Sequence, residues 1–218
     1  MHVYVCQLQL HENLFYATRE IGRLYETGRY LHNYGLTYAL GLAVSQYFSP
    51  DAIPRYQGEL STLNDTPIYV TPARPNYVSF ELNTFKYADN NYRVKMTQSK
   101  QNTPSYGRAK ELAVGSTFDF AVLTGETWHP PKWIRLGKWM SKAELHITHA
   151  ENVQHVAHGE FIAGFPLNPL DLSANHRILT YDLISMPPVS LLDNAAMVGE
   201  YCQLQDGRCL PSDLAYRF

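Results

Sequence analysis

The sequence predicts an α+β protein built mainly on antiparallel β-sheet. Three observations support this class: an alternating segment opens the chain, one apolar stripe at helical spacing follows it, and most later periodic segments alternate like strands. With 218 residues the chain is long enough to bury a hydrophobic core. We therefore expect a single domain spanning residues 1–218.

The first two elements carry the clearest periodicity. Residues 3–10 alternate as a strand with one face on the core. A polar connection over residues 11–28 separates that strand from a helix expected at about residues 29–46, with Thr27 as its cap. The apolar stripe of this helix consists of Leu31, Tyr34, Tyr38 and Leu42.

The rest of the chain reads as irregular segments and strands. Prolines make residues 49–76 irregular, with one short strand at 68–70, and polar residues at 99–108 indicate a projecting loop. Asp206-Gly207 predicts a two-residue hairpin turn that pairs Gln205 with Arg208. The further strands are expected at 80–85, 92–96 (after a turn at 89–91), 117–123, 143–148, 154–162, 180–186, 201–205 and 208–210.

Composition limits the class of protein. The three cysteines, Cys6, Cys202 and Cys209, form no Cys-x-x-Cys pair, and the hairpin register places Cys202 diagonal to Cys209, so we expect reduced thiols. The beginning of the chain has no basic segment followed by an apolar one, and no apolar run is long enough to span a bilayer. We expect a soluble cytoplasmic protein that does not bind membranes.

The net charge of −2 hides a strong asymmetry. Between Lys86 and Lys142 there are ten basic and four acidic residues, and tyrosines and all three tryptophans are interspersed among them. Cations that neutralise phosphates and rings that stack on bases are what single-stranded nucleic acid requires. We therefore expect the basic middle third to fold onto one common face that holds such a strand. The alternative is an ordinary surface that is basic in one place.

A basic, tryptophan-rich loop is expected at residues 128–142. Gly137 permits a positive φ or a close backbone approach, and Arg135, Lys138 and Lys142 surround it. This arrangement favours a phosphate-binding turn, and the alternative is a plain β-turn with solvated lysines. Trp128 and Trp133 could face either the nucleic-acid strand or a partner protein.

Other sets of residues have the side chains of a metal or catalytic site, but their spacing fits such a site poorly. His146, His149, His155 and His158 form two His-x-x-His pairs, yet residues three apart on a strand face opposite ways, so we predict no metal site. His146 or His158 with Tyr181 could form a general acid–base set, although no spacing pattern requires it. Glu12, Glu20 and Glu26 alternate with Arg19 and Arg23, and this pattern is typical of a solvated, salt-bridged loop. We expect no cofactor and no catalytic residue.

Several segments together resemble one known family. The opening strand, Phe15-Tyr-Ala-Thr-Arg-Glu-Ile-Gly-Arg-Leu-Tyr-Glu26, Leu31-His-Asn-Tyr34 and Ile134-Arg-Leu-Gly-Lys-Trp-Met-Ser-Lys142 are similar to the type I-D CRISPR-associated Cas-five (Csc-one) family of the RAMP superfamily. The resemblance implies a ferredoxin-like (RRM) domain with an antiparallel sheet, one main helix and a basic, thumb-like, β-rich insertion around residues 86–115. The superfamily's glycine-rich loop would correspond to residues 159–164.

The resemblance also implies a function. The chain would be a non-catalytic RNA-binding subunit of a Cascade surveillance complex, capping the 5′ handle of the CRISPR RNA (crRNA). Its partners would be a Cas-seven-like backbone subunit, a Cas-ten-like large subunit and target DNA near the PAM. The alternatives are a crRNA-processing endoribonuclease and a stand-alone β-rich binding module. The candidate RNA-binding residues are Arg19, Arg23, Lys95, Lys100, Tyr106, Arg108, Lys110, Arg135, Gly137, Lys138, Trp139 and Lys142.

Overall fold

The structure, a computed structural model, describes residues 1–43, 54–86 and 106–218, with Lys86 and Tyr106 described by their backbone only. Within these ranges the chain forms three β-sheets and two short α-helices. All strand pairs but one are antiparallel, the exception being Leu24–Glu26 with Tyr106–Leu112. The predicted α+β class with mainly antiparallel sheet is confirmed, whereas the described residues do not confirm a ferredoxin-like arrangement or one main helix.

The largest sheet has six strands in the order β4-β8-β1-β10-β9, with β5 also beside β8. The alternation predicted for the first strand is confirmed, since Cys6 and Leu8 are fully buried and Gln7 is exposed. The strands of this sheet are β1 His2–Leu10, β4 Ile68–Val70, β5 Arg74–Tyr77, β8 Thr117–Thr124, β9 Trp133–Leu136 and β10 Ser141–His149. The predicted strands at 68–70, 117–123 and 143–148 are confirmed, whereas β5 and β9 were expected to be irregular.

Both faces of the six-stranded sheet contribute to the core. On one face Cys6, Leu8 and Phe120 pack with Leu36 of the first helix. The opposite face, around Val3 and Leu123, packs against the C-terminal segment at Leu210 and Tyr216. The sheet is therefore the central layer of the molecule.

The first helix, α1, is shorter than expected and begins later. It spans Asn33–Ala39, and His32 caps it by accepting a hydrogen bond from the Tyr34 N–H. Residues 29–31 do not join it, because the Leu31 N–H and carbonyl bond to Ala73 in an isolated bridge. The cap prediction at Thr27 is therefore wrong, and the expected continuation over 44–46 lies outside the described residues.

A second sheet has the order β11-β13-β12, with β14 also paired to β13. Its strands are β11 Gln154–Ile162, β12 Arg177–Ile184, β13 Leu191–Gln203 and β14 Cys209–Pro211. The strand at 154–162 is confirmed, and it takes up much of the region where the glycine-rich loop was expected. A second short helix, α2 Tyr56–Leu60, continues into a 3₁₀ turn, Ser61–Asn64, in a region expected to be irregular.

The hairpin at the end of the second sheet differs in register from the prediction. Leu204 donates to the Arg208 carbonyl at 2.8 Å, and Gly207 donates to the Leu204 carbonyl at 3.0 Å. The turn therefore contains three residues rather than two, a length that a glycine at φ +86° accommodates. Cys202 pairs with Leu210, and all three cysteines are free and buried, as expected of reduced thiols.

The third sheet, of four strands, has the order β2-β3-β7-β6. Its strands are β2 Arg19–Ile21, β3 Leu24–Glu26, β6 Phe80–Lys86 and β7 Tyr106–Leu112. The strand at 80–85 is confirmed. Residues 11–28, expected to be a connection, contribute β2 and β3, and the predicted loop at 99–108 is strand from Tyr106 onward, because both segments pair with each other through β3 and β7. The predicted turn at 89–91 and strand at 92–96 lie outside the described residues.

Candidate nucleic-acid interface

The β9–β10 turn is built around Gly137. This glycine has φ +77°, and a Cβ there would lie only 2.8 Å from the carbonyl oxygen of Phe15. The predicted positive φ and close backbone approach are both confirmed, and the approaching group is the chain's own segment at Leu14 and Phe15. The Lys138 N–H donates to the Phe15 carbonyl at 2.9 Å, and the Met140 N–H donates to the Gly137 carbonyl. Phosphate binding at this turn would therefore depend on side chains rather than on these two amides.

Trp139, at the tip of this turn, forms a stacked pair with Phe15. Their ring centres are 4.6 Å apart at an interplanar angle of 26°, and Trp139 remains 49% exposed. The pair lies in an open cleft of about 690 Å³, which we call the Trp139 cleft. Its lining residues are Phe15, Ala17, Glu20, Gly22, Arg23, Tyr25, Phe85, Gly107, Lys138 and Trp139.

The four-stranded sheet supplies the other wall of the Trp139 cleft. Arg23 lies in the β2–β3 turn, which is fixed to β7 by the bond from the Arg108 N–H to the Arg23 carbonyl, 2.8 Å. Phe85 on β6 pairs with Gly107 on β7, and a Cβ at Gly107 would lie within 2.6 Å of two atoms of the Phe85 ring. Gly107 therefore allows this ring to lie across the strand, where it stays partly exposed beside Lys138 and Arg23.

The opposite side of the four-stranded sheet, which we call the rear face, carries three other predicted residues. Arg108 and Lys110 alternate with Gly107 along β7, so they point away from the Trp139 cleft. The Lys110 ammonium lies 4.3 Å from the Phe80 ring centre and 3.7 Å from a Glu26 carboxylate oxygen. Arg19 donates to the same carboxylate at 2.9 Å, and this hydrogen bond is the main cause that lowers the pKa of Glu26.

The last predicted cations lie on the outer surface of the six-stranded sheet, which we call the Trp133 strip. Arg135 and Lys142 are paired across β9 and β10, on the same side as the exposed Trp133. The Lys142 ammonium lies 4.0 Å from the Trp133 ring centre, and Arg135 donates to Glu12 at 2.9 Å. Trp128, by contrast, packs edge-on against Tyr4 at the margin of the core.

The structure thus divides the predicted residues among three surfaces. Arg23, Lys138 and Trp139 come together in the cleft beside Gly137, whereas Arg108 lies on the rear face and Arg135 on the Trp133 strip. The expectation that the basic middle third forms one common face is therefore wrong, because alternation along β7 sends Arg108 and Lys110 to the side opposite Lys138. Lys95, Lys100 and the Tyr106 side chain lie outside what the structure describes.

The candidate acid–base residues are not brought together. His146 is exposed on β10 of the six-stranded sheet, whereas His158 and Tyr181 lie on β11 and β12, with β13 between these two strands. His149 instead forms a pair with His2, with ring nitrogens 3.1 Å apart. Among the described residues, no group of three or more His, Cys, Asp or Glu side chains could hold a metal ion.

Sequence reasoning missed several residues that shape these surfaces. Phe15 and Phe85 line the Trp139 cleft, and Glu12 holds Arg135. Their partners lie far away in the chain, so no local pattern signals the contact. Phe15 lies in the predicted connection over residues 11–28, and Phe85 lies in the predicted strand over residues 80–85. An aromatic residue in such a segment indicates a core position as readily as a binding surface.

The fold and the Trp139 cleft together describe an α+β protein with exposed rings and cations in one concave site, the kind of surface that suits single-stranded nucleic acid. In no described part of the chain is there a helix of the length and apolar character needed to cross a membrane. The family described as Type I-D CRISPR-associated protein Cas5/Csc1 matches residues 1–218, and the chain belongs to this family. The resemblance noted in the sequence is thereby confirmed.

Comparison with other proteins adds little beyond the family. No curated protein is significantly similar to the chain in sequence. One solved structure that it resembles is a chain from a cryo-EM structure of the Type III-B Cmr-beta bound to cognate target RNA and AMPPnP. The two share 10% sequence identity with a TM-score of 0.49, and the match covers 89% of this chain and 86% of that one. A likeness this distant says nothing about what the present chain binds.

Proposed function

We propose that this chain is the subunit that holds the 5′ handle of the crRNA in a type I-D Cascade complex, without cutting it. Membership of the Cas5/Csc1 family along all 218 residues supports the assignment to this machinery. The observation that carries the RNA-binding site is the Trp139 cleft, where the half-exposed Trp139 ring, stacked on the buried Phe15, lies beside Lys138 and Arg23.

The cleft can hold a strand by two kinds of contact. The exposed ring of Trp139, already fixed by Phe15, offers a rigid surface on which one base stacks, and such stacking is worth about 1–3 kcal/mol. Lys138 and Arg23 neutralise adjacent phosphates and release their counterions. Glu20 in the same wall repels phosphate, so that part of the cleft suits a base edge or a ribose hydroxyl.

The two remaining surfaces suit protein or duplex partners. The Trp133 strip presents an exposed tryptophan between Lys132 and Lys142, and the rear face presents the exposed side chains of Ile21 and Leu82 beside its cations. Exposed aromatic and aliphatic residues bordered by charge are typical of interface anchors. We propose that these surfaces contact the Cas-seven-like backbone subunit, the Cas-ten-like large subunit and target DNA near the PAM. In such machines the protein reads the PAM while base pairing reads the sequence.

A charge reversal in the cleft tests the proposal. Lys138→Glu should weaken binding of handle RNA to the assembled complex and reduce the slope of log affinity against log salt by about 0.7, because one phosphate contact is lost. Filter binding over a salt series measures both quantities. The matched control is Arg177→Glu, a charge reversal at an exposed cation of β12 that lies on none of the three surfaces. Unchanged affinity and slope in Lys138→Glu would remove the Trp139 cleft from the RNA site.

Stacking has its own test. Trp139→Ala should weaken binding of handle RNA by about 5- to 150-fold, the equivalent of one lost base stack. Trp133→Ala, which removes an exposed tryptophan from a different surface, serves as the comparison. If the two variants lose the same affinity, the preference for the cleft is wrong.

The absence of catalysis is tested separately. Purified protein incubated with repeat RNA should leave it intact, since His146 and His158 are not assembled with Tyr181 into one site. Specific cleavage that disappears in His146→Ala or His158→Ala would establish the endoribonuclease alternative. Failure of RNA or partner subunits to co-purify with the chain would favour the stand-alone binding module.

A further inference from the structure

Strand β12, Arg177–Ile184, forms one edge of the second sheet, which we call the β12 edge. It pairs with β13 on one side, and within the described chain no backbone group bonds to its other side. Six of its eight residues are exposed. Such an edge presents N–H and C=O groups to which another extended chain can bond.

Exposed apolar side chains lie along the β12 edge. Tyr181 is 51% exposed and Leu183 is 62% exposed, and alternation places both on the same side of the strand. Leu183 stands opposite Leu192 of β13, which belongs with Met197 to the buried cluster of the second sheet. The two exposed side chains therefore extend this cluster sideways to the edge, where they remain open to solvent.

The β12 edge lacks residues that commonly protect an edge from pairing. Proteins often place lysine or proline there, or disturb the strand with a bulge. Strand β12 contains neither lysine nor proline, and no lysine follows Lys142 in the sequence. Its pairing with β13 is irregular as far as Asp182, whereas residues 182–184 pair in consecutive register. We therefore expect a further strand to be added along residues 181–184.

The charge around the β12 edge indicates what kind of partner fits. Residues 150–218 contain eight acidic residues and only three arginines. Two of these arginines, Arg208 and Arg217, are already held in ion pairs. Asp182 lies exposed on the strand, and Asn194 donates to its carboxylate at 2.7 Å. A surface of this kind repels phosphate and attracts lysine and arginine.

We propose that the β12 edge receives an extended segment of a partner protein, in which apolar and basic residues alternate. Apolar side chains at every second position would pack on Tyr181 and Leu183, and a lysine or arginine between them would meet Asp182. This inference goes beyond the proposed function, because it concerns a fourth surface and a protein partner rather than RNA.

The charge disfavours two other occupants of the β12 edge. A strand of nucleic acid would bring its phosphates against an acidic surface. A second copy of this chain, paired through the same edge, would bring like charges together around Asp182. The added segment is therefore expected to belong to a different chain.

A photo-crosslink in the assembled complex tests this inference. Tyr181 is replaced by the photoreactive residue benzoylphenylalanine, the complex is irradiated, and the crosslinked peptide is identified by mass spectrometry. The expected result is a crosslink to one segment of another subunit, with a lysine or arginine beside the crosslinked residue. The same replacement at Leu183 provides a second position if the Tyr181 variant does not assemble.

Further substitutions in the crosslinking variant separate the contributions of apolar contact and charge. Leu183→Lys should reduce the crosslink yield about fivefold or more when the subunits are mixed below saturation. Ile162→Lys is the matched control, because Ile162 is 64% exposed on β11 at the opposite edge of the same sheet, and it should leave the yield unchanged. Asp182→Asn keeps an acceptor for Asn194 but removes the charge, so it should reduce the yield about two- to fivefold at low salt. The melting temperature of each variant is checked first.

Several results would overturn the inference. It is wrong if the Tyr181 probe reacts with RNA, with a second copy of this chain or with no partner, or if Ile162→Lys lowers the yield as much as Leu183→Lys. An unchanged yield in Asp182→Asn at low salt would contradict a basic partner. Failure of the proposed function would show differently, since Lys138→Glu should weaken RNA binding and leave the crosslink in the assembled complex unchanged.

Discussion

Gly137 shows how much a single residue can determine at this site. It combines a left-handed backbone with a close approach to the Phe15 carbonyl, and the turn that it forms carries Lys138 and Trp139. Any side chain at this position would both strain φ and push the turn away from the segment that supports Trp139. The position is therefore one where only glycine fits, and its context in the sequence already indicated this.

We predict that Gly137→Ala destabilises the protein more than Gly115→Ala. Both glycines have a positive φ, near +80°, but a Cβ at Gly115 has no atom within 4 Å. Gly115→Ala should cost about 1–2 kcal/mol for the left-handed conformation alone. Gly137→Ala should cost about 1–3 kcal/mol more, because the added methyl overpacks against Phe15. Urea unfolding measures both values, and equal losses would contradict the role assigned to the close approach.

At the scale of elements, α1 is fixed by a buried polar network around Asp171. Asn33 of α1 and Tyr69 of β4 each donate to the Asp171 carboxylate at 2.8 Å, and the Arg217 backbone N–H donates at 3.1 Å. Asp171 is fully buried, and this burial raises its pKa to about 6. The network ties the helix, the sheet and the C-terminal segment to one titratable group.

This network predicts a dependence of stability on pH. The pKa of Asp171 is raised in the folded protein, so between about pH 4 and pH 6 the folded state binds more protons than the unfolded state. Its contribution to stability is therefore greatest at low pH and is lost as the pH rises through 6. The free energy of unfolding of the wild type relative to Asp171→Asn should fall by about 2 kcal/mol from pH 4 to pH 7. A difference that stays constant or rises over this range in chemical denaturation would show that Asp171 is already ionised when buried.

At the scale of the whole molecule, one ion pair joins the first and second sheets. Arg74 of β5 donates through Nε to the Asp193 carboxylate of β13 at 3.0 Å, and the Tyr30 hydroxyl donates to the same carboxylate at 2.7 Å. Asp193 is almost fully buried, whereas Arg74 is about one-third exposed. The two sheets therefore depend on each other for the pairing of a buried charge.

We predict that Arg74→Met costs about 3 kcal/mol in the free energy of unfolding, because it leaves the buried Asp193 charge without its cation. Arg135→Ala provides the comparison. Its ion pair with Glu12 is about half exposed on both sides, so its loss should cost at most about 1 kcal/mol. Thermal or urea unfolding of both variants measures the difference, and similar losses would mean that the Arg74 pair behaves as an ordinary surface pair.

Local sequence predicted those features that depend on neighbours in the chain. Alternation identified the central strand β1 and its companions β8 and β10, and the setting of Gly137 indicated its turn. Elements defined by distant partners were missed: residues 29–31 bond to Ala73 instead of entering α1, and β9 forms because it pairs with β10. Short segments have too little periodicity of their own to indicate such pairing.

The amino-acid sequence by itself determined the α+β class, the main strands, the basic and aromatic composition of the middle third, and the family. Only the tertiary structure decided which cations share a surface. It placed Lys138 beside Arg23 and stacked Trp139 on Phe15 in the Trp139 cleft. It placed Arg108 on the side of the four-stranded sheet that faces away from this cleft. The physical reason is that strand alternation and sheet pairing set the direction of each side chain, and pairing joins residues that are far apart in the chain.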